Sequence, residues 1–138
     1  MPHKKLWEVP GYKIPPPNER TLQVLYSPQI DKGIKDVTVL MSTLFPHGGR
    51  SGLHTHDVDE IMYIITGRGE GVEGDEVFDI EPGVVFYAPA GVKHECRNLS
   101  HETMQIFCVY VPSLPDNVVE EFVKNARLKI KDSQDKLK

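Results

Sequence analysis

The apolar residues of this chain fall in short runs, and most of these runs stop at a glycine or a proline. Short apolar runs bounded by turn residues are typical of β-strands. The pattern predicts strands at 21–26, 37–45, 61–65, 68–73, 76–80, 84–87, 94–98 and 104–111. Because no stretch with helical spacing separates these runs, we expect an all-β fold, an antiparallel sandwich or barrel.

The clearest turn lies between the predicted strands 68–73 and 76–80, which are joined by Gly74 and Asp75. A glycine at the first position of a two-residue loop suits a type II′ turn, in which that position needs a positive φ. The sequence therefore predicts a β-hairpin here.

One helix is predicted, and it lies at the C-terminus. The segment from Ser113 to Asp116 resembles a capping box, with Pro115 in the first helical turn, where a missing N–H has little effect. Apolar residues then recur at helical spacing, namely Val119, Phe122, Val123, Ala126 and Ile130. We expect this stripe to cover the open end or the flank of a sheet.

The N-terminal residues 1–20 are predicted to be irregular, since Pro15, Pro16 and Pro17 restrict the residues that precede them to extended conformations. This arm either packs along its own barrel or reaches across to a second subunit. The predicted organisation is a single domain with an arm over 1–20, a barrel over 21–112 and a C-terminal helix and tail over 113–138.

Length and charge narrow the class of protein. The chain has 138 residues, enough for a single core, and its net charge is −4. Without a basic cluster before the C-terminal tail, nucleic acid is not an expected partner. There is no apolar segment of membrane-spanning length and no secretory signal pattern. Cys96 and Cys108 lie inside predicted strands rather than in a disulfide framework, so we expect a cytoplasmic protein.

Three potential metal ligands, His54, His56 and Glu60, directly precede the most apolar predicted strand. On a strand, side chains two residues apart point the same way, so the two imidazoles can meet at one point. A bend at 57–59 would bring Glu60 back towards them. The alternative is an exposed polar corner, but three coordinating groups at the mouth of an apolar strand favour a divalent first-row metal.

A second stretch, 83–98, pairs with the first, and together they match both signature motifs of the cupin superfamily at every specified position. The first motif falls on Gly48, His54, His56, Glu60 and Gly67. The second falls on Gly83, Pro89, Gly91, His94 and Asn98. Only fifteen residues separate the two motifs, a spacing familiar among small microbial cupins. The chain therefore resembles a small single-domain metal-binding cupin.

This resemblance implies a jelly-roll β-barrel and a metal site. The residues that match the ligand set of metal-bearing cupins are His54, His56, Glu60 and His94. Gly67, Gly83 and Gly91 match the turn glycines. The implied cofactor is one divalent metal ion, with Fe or Mn favoured and Ni, Zn or Co also compatible with the donor set.

Four protein ligands leave one or two positions open on a five- or six-coordinate metal, so a substrate could bind there. The favoured expectation is an oxidoreductase of the dioxygenase type that acts on a small organic acid, enol or diol. One alternative is a metal-dependent isomerase, lyase or decarboxylase of an organic acid or a sugar acid. Another is a cupin that binds a small ligand without catalysis. The catalytic residues stay unassigned.

Several further residues are candidates for the surroundings of the metal. Counting alternate positions along the predicted strands turns Met62, Ile64, Cys96 and Asn98 towards the interior. Arg50, in the loop with His47 that leads to the ligands, could bind a carboxylate. Glu73 and Tyr87 are candidate proton-transfer groups.

The oligomeric state is an expectation from the resemblance alone. Small cupins commonly pair through sheet edges or exchanged N-terminal strands, and exposed strand edges favour such pairing. We therefore expect a homodimer, with a small molecule as the substrate and with neither nucleic acid nor membrane as a partner.

Overall fold

The computed structural model describes residues 3–136, with side chains as far as Arg127. The described residues form a short 3₁₀ helix, nine strands and one α-helix. The 3₁₀ helix is Leu6–Glu8, and the strands are β1 (Gly11–Ile14), β2 (Arg20–Tyr26), β3 (Thr38–Leu44), β4 (Asp59–Ile64), β5 (Gly69–Glu73), β6 (Glu76–Ile80), β7 (Val85–Ala88), β8 (His94–Asn98) and β9 (Met104–Val111). The helix α1 is Asp116–Lys136.

The strands form two antiparallel sheets. The larger sheet has the order β1-β2-β3-β9-β4-β7, and the smaller sheet has the order β6-β5-β8. The chain crosses from one sheet to the other between β4 and β5, between β6 and β7, between β7 and β8, and between β8 and β9. This crossing produces the predicted jelly roll, in which the core lies between the sheets.

Alternation of buried and exposed residues shows which side of each strand faces this core. Along β4, Met62 and Ile64 are 3% and 0% exposed, whereas Ile61 and Tyr63 are each 45% exposed. Strand β9 alternates in the same way from its buried first residue, Met104. Each fully buried aliphatic side chain contributes about 1.5–3 kcal/mol through removal of apolar surface from water. The inward placement predicted for Met62 and Ile64 is confirmed.

The hairpin between β5 and β6 has the predicted two-residue loop, because Glu73 pairs with Glu76 across it. Gly74 has a φ of 58°, and Asp75 is not among the residues with a positive φ. A positive φ at the first central position alone is the feature that distinguishes a type II′ turn from a type I′ turn.

The N-terminal arm is more regular than the sequence predicted. Residues Gly11–Ile14 form β1, an edge strand that pairs with β2 of the same chain. A Cβ atom at Gly11 would lie only 2.6 Å from Cγ2 of Thr21, so glycine allows the close approach of the two strands. The expectation of an irregular segment is therefore wrong for these four residues. They pack along their own barrel, and Tyr12 meets Phe122 of α1 edge to face.

The helix α1 covers the flank of the larger sheet at β1 and β2, as predicted. Its stripe is buried at Val119 and Ala126, and Phe122 and Val123 pack partly buried against the core. The side chain of Ile130 lies outside the described residues. The predicted capping box begins at Ser113, which is two residues too early. The carbonyl of Pro115 accepts the first helical hydrogen bond, so this proline precedes the helix and does not lie in its first turn. Within residues 3–136, no helix is long and apolar enough to cross a membrane.

The outer surface of β4, β7 and β9 carries a continuous set of exposed apolar side chains. This set, the outer apolar face, consists of Ile61, Tyr63, Val85, Tyr87, Phe107 and Val111. Each of these residues is between 36% and 58% exposed. The ladder places Tyr63 between Val85 on one side and Phe107 on the other. Their combined exposed area is on the order of 600 Å², at the upper end of what monomeric proteins expose in one apolar patch.

Candidate metal centre

Four side chains from two distant parts of the chain converge at one end of the barrel. These are His54, His56, Glu60 and His94, which we call the His/Glu cluster, and their ligand atoms all lie within 4.8 Å of one another. The three imidazole rings have centroids 4.6–4.8 Å apart. The structure thus brings together the four residues that the sequence singled out, and they could hold a metal ion.

Backbone hydrogen bonds fix this convergence. The N–H of His54 donates to the carbonyl of His94 at 3.2 Å, and the N–H of His94 donates back at 2.9 Å. The N–H of Gly91 donates to the carbonyl of His56 at 2.9 Å. The sequence placed His54 and His56 on one face of a strand, but neither lies in a strand of the described residues, and only an isolated bridge forms at His54. Pairing with the segment around β8, rather than strand geometry, therefore brings the two imidazoles together.

Hydrogen bonds of the ring nitrogens orient two of the imidazoles. Nδ1 of His54 lies 2.5 Å from the carbonyl oxygen of Gly52, and Nδ1 of His94 lies 3.0 Å from that of Val92. A carbonyl only accepts, so Nδ1 carries the proton in each ring and Nε2 is free to bind a metal. Nε2 of His94 lies 3.1 Å from Oε1 of Glu60, as expected for groups that share one ion.

The electrostatic surroundings suit a cation at this point. Burial lowers the pKa of His54 and His56, which favours the neutral rings that metal binding requires. Burial also disfavours the charged form of His94, but hydrogen bonds with the Glu60 carboxylate and the Val92 carbonyl outweigh it and raise the pKa. The carboxylate that favours a proton on His94 would favour a metal cation between them in the same way. Three imidazole nitrogens and one carboxylate fit a divalent first-row metal.

Next to the cluster lies a small cavity of about 20 Å³, which is room for about one water-sized group. Arg20 of β2, Ser42 of β3 and Tyr110 of β9 line it together with Cys96 of β8. The aromatic ring of Tyr110 meets the ring of His56 at 5.1 Å, nearly perpendicular. Burial, together with the negative charge of the nearby carboxylate, raises the pKa of Tyr110, so its hydroxyl stays protonated at neutral pH.

Arg20 is the largest polar group in this cavity, and nothing in the sequence pattern singled it out. Its Nε atom is buried and has no hydrogen-bond partner among the described residues, and the same holds for Oγ of Ser42. Burial lowers the pKa of Arg20, whereas the negative charge of Glu60 opposes that effect. An arginine remains charged at neutral pH. The cavity therefore contains a cationic donor and a hydroxyl without protein acceptors.

Of the other predicted interior residues, Met62 and Cys96 line the cavity, whereas Ile64 lies in the core. Asn98 is fully buried but serves the fold: its amide donates to the carbonyls of Leu44, Phe45 and Glu102. Cys96 and Cys108 are free thiols, and burial raises the pKa of both, which keeps them protonated and unreactive.

The remaining sequence candidates lie away from the cavity. His47 contacts the ring of His101, and the backbone of Arg50 bridges to Arg97, so neither lines the cavity. Tyr87 belongs to the outer apolar face, on the side of β7 that points away from the core. Glu73 lies opposite His94 in the ladder and helps to raise the pKa of that histidine, but it does not line the cavity.

The turn glycines of the two motifs have the backbone conformation that the motifs require. Gly67, Gly83 and Gly91 have φ angles of 93°, 95° and 82°. Residues with a Cβ rarely adopt such angles. At Gly67 a Cβ atom would also lie 2.6 Å from Cβ of Met104, so that this position is sterically closed.

Comparison with known proteins agrees with this architecture. The uncharacterized protein MJ1618 of Methanocaldococcus jannaschii is 32% identical over 92 residues, which cover 66% of this chain and 72% of that protein. The crystal structure of a predicted oxalate decarboxylase from Thermotoga maritima has a TM-score of 0.69 at 22% identity, covering 78% of this chain and 96% of that one. KdgF from Halomonas sp. has a TM-score of 0.66 at 20% identity, covering 83% and 94%.

The two structures share the fold at identities too low to carry an activity over to this chain. The family is instead shown by a match at the level of sequence. The Cupin domain family matches residues 41–110, about half of the chain, and this segment contains the whole His/Glu cluster. The chain therefore belongs to the cupin family.

Proposed function

We propose that the protein is a mononuclear metal-dependent enzyme in which the His/Glu cluster holds one divalent cation, with Fe or Mn favoured. A small organic acid, enol or diol binds at the remaining positions of the cation. The observation that supports this proposal is the approach of the four ligand atoms to within 4.8 Å of one another beside a cavity. When bound, the cation supplies Lewis-acid or redox chemistry to the substrate oxygen atoms.

The residues of the chain itself provide orientation and exclude water. Glu60 and His94 are 3% and 2% exposed, so charge that develops next to them is poorly screened by solvent. The hydrogen bonds from Nδ1 of His54 and His94 hold two rings with Nε2 towards the cation. The Cys96 and Cys108 thiols stay protonated and take no nucleophilic part.

The first test is metal binding. Wild-type protein loaded anaerobically with Fe(II) or Mn(II) should retain about one metal ion per chain, measured by mass spectrometry of the metal after desalting. The variants His56→Ala and Glu60→Gln should lose the metal while their far-ultraviolet circular dichroism stays unchanged. The control is His101→Ala, a change at an exposed histidine outside the cluster, which should retain the metal. Retained stoichiometric metal in both cluster variants would overturn the ligand assignment.

The second test separates the reactions. The favoured reaction is a dioxygenation, so the Fe(II) protein should consume oxygen in the presence of at least one compound from a panel of enediols, diketones and catechols. Loss of this uptake in His56→Ala, with retention in His101→Ala, would tie the activity to the cluster. If no compound in the panel causes uptake, the dioxygenase proposal is wrong.

The second candidate is a reaction without oxygen: isomerisation, elimination or decarboxylation of an organic acid. The observation that favours it is the protonated hydroxyl of Tyr110, which lines the cavity and contacts the ring of His56. A hydroxyl at this position can donate a hydrogen bond to a substrate oxygen atom that gains negative charge during the reaction. Under this candidate Tyr110→Phe would lower kcat and leave the affinity for metal unchanged. Under the dioxygenase proposal the same variant would change oxygen uptake little.

A further inference from the structure

The cavity beside the His/Glu cluster contains two donors that the protein itself does not satisfy. A buried polar group without a partner is destabilising, and more so when it is charged, so folded proteins contain few of them. Here Nε of Arg20 and Oγ of Ser42 are both buried without a partner, and both residues line the same small cavity. Two such donors in one cavity indicate an acceptor that comes from outside the chain.

The charge of the site specifies the kind of acceptor. With three neutral imidazoles, the Glu60 carboxylate, a divalent cation and the Arg20 guanidinium, the net charge of the site is +2. Burying that charge is unfavourable unless an anion neutralises it. A guanidinium also matches the geometry of a carboxylate, because its N–H groups can form two parallel hydrogen bonds.

We propose that Arg20 and Ser42 form a carboxylate subsite, so that the ligand of this cupin is a small carboxylic acid anchored beside the cation. This inference rests on the proposed function, because a second oxygen atom of the same acid would bind the metal. The cavity of about 20 Å³ has room for about one water-sized group, so it would receive only the carboxylate end of the acid, with the remaining atoms towards the His/Glu cluster. This favours acids with few carbon atoms, in which the carboxylate lies next to a hydroxyl, a keto group or a second carboxylate.

The position of Arg20 supports this assignment. Arg20 stands at the start of β2 and pairs with Leu44 of β3, so that its side chain enters the barrel from the sheet opposite β8. Arg20 and His54 line the same small cavity, so the two side chains lie near each other. An acid held by Arg20 and Ser42 therefore has the His/Glu cluster within its reach.

The test compares two ligands of nearly the same shape on Mn(II)-loaded protein by isothermal titration calorimetry. Glycolate carries a carboxylate and a neighbouring hydroxyl, whereas glycolamide replaces the carboxylate by a neutral amide. Wild-type protein should bind glycolate at least ten-fold more tightly than glycolamide. The variant Arg20→Gln should lose roughly 10- to 100-fold in affinity for glycolate, as expected for hydrogen bonds to a charged group, and should leave the affinity for glycolamide almost unchanged.

Two further variants complete the design. Arg50→Gln is the matched control, because Arg50 is an arginine outside the cavity. The affinity of this variant for glycolate should stay within about two-fold of wild type. Ser42→Ala removes the second donor and should lose about three- to ten-fold. It also keeps the proposal testable if Arg20→Gln does not fold.

The metal content, measured in the same samples, distinguishes the possible failures. If wild-type protein binds no Mn(II), the proposed function fails and this inference falls with it. If Mn(II) binds at one ion per chain but glycolate and glycolamide bind equally, or neither binds, only the carboxylate subsite is overturned. Unchanged affinity for glycolate in Arg20→Gln and Ser42→Ala, with full metal content, also overturns it.

Discussion

Replacing Arg20 by methionine should stabilise the protein when neither metal nor anion is bound. Arg20 is partly buried, and its Nε atom is fully buried with no partner among the described residues. Burial outweighs the attraction of the Glu60 carboxylate, since the net result is a lowered pKa of Arg20. Methionine has a similar length, adapts to irregular space and carries no charge to desolvate.

The size of the effect follows from other buried charges. Replacing buried ionic groups by apolar residues of similar volume is often neutral or stabilising by about 1–4 kcal/mol. Because Arg20 keeps some attraction to Glu60, we expect the lower part of that range, about 1–2 kcal/mol. For a domain of this size each kcal/mol corresponds to about 3 °C. The melting temperature of Arg20→Met should therefore rise by about 3–6 °C.

The assay is differential scanning calorimetry of desalted protein in a chelator at low anion concentration. The control is Arg68→Met, because Arg68 forms an exposed ion pair with Glu81 and such pairs contribute about 0–1 kcal/mol. With Mn(II) and oxalate at about 100 times its Kd, wild-type protein should gain about 2.7 kcal/mol from binding, and Arg20→Met should gain much less. The advantage of Arg20→Met in melting temperature should then shrink or reverse.

Two results would refute the reasoning. A lower melting temperature of Arg20→Met in the chelator would mean that the guanidinium stabilises the empty barrel, and that it needs no acceptor from outside. An unchanged difference between the two melting temperatures with Mn(II) and oxalate would mean that the stability lost at this position is not recovered through ligand binding.

Two further predictions concern the backbone and the surface. Gly67→Ala should destabilise the protein by more than Gly33→Ala in urea unfolding. Both glycines have a positive φ, but only a Cβ atom at position 67 would clash, at 2.6 Å from Cβ of Met104. We expect a loss of about 1–2 kcal/mol in the free energy of unfolding at position 33 and at least about 1 kcal/mol more at position 67. Equal losses would show that the contact relaxes easily. We also propose that the outer apolar face joins two copies of this chain in a homodimer, since its area, on the order of 600 Å², approaches the roughly 800 Å² per partner of standard interfaces. Tyr63→Lys, at the centre of that face, should then convert a dimer into a monomer in analytical ultracentrifugation, and a wild-type monomer at micromolar concentration would contradict the proposal.

The predictions for Arg20 assume that this residue lowers the stability of the free protein and contributes to ligand binding. The barrel carries a buried, unpartnered Nε atom at Arg20 and an unpartnered hydroxyl at Ser42, where we expect apolar residues to pack at lower free energy. Such local departures from the lowest-energy choice are expected at functional sites rather than in a purely structural core. The rest of the core, for example around Ile64 and Met104, is apolar and fully buried.

The sequence by itself determined the class of fold and the composition of the candidate metal centre. Strand runs, turn glycines and the hairpin at Gly74 are local signals, since they depend on alternation and on φ angles that a few neighbouring residues decide. The His/Glu cluster could be predicted because its members lie in two short motifs of fixed spacing, and the structure brings them within 4.8 Å of one another.

The tertiary structure decided which other residues reach the cluster. Arg20 and Tyr110 lie in β2 and β9, outside both motifs, and alternation alone shows only which side of its own strand each shares with its neighbours. Whether they meet the cluster depends on the register between strands and on the closure of one sheet over the other. Register is set by long-range pairing, which single-sequence patterns do not contain. For the same reason the arginine expected at the site was Arg50, whereas the arginine that the fold places in the cavity is Arg20.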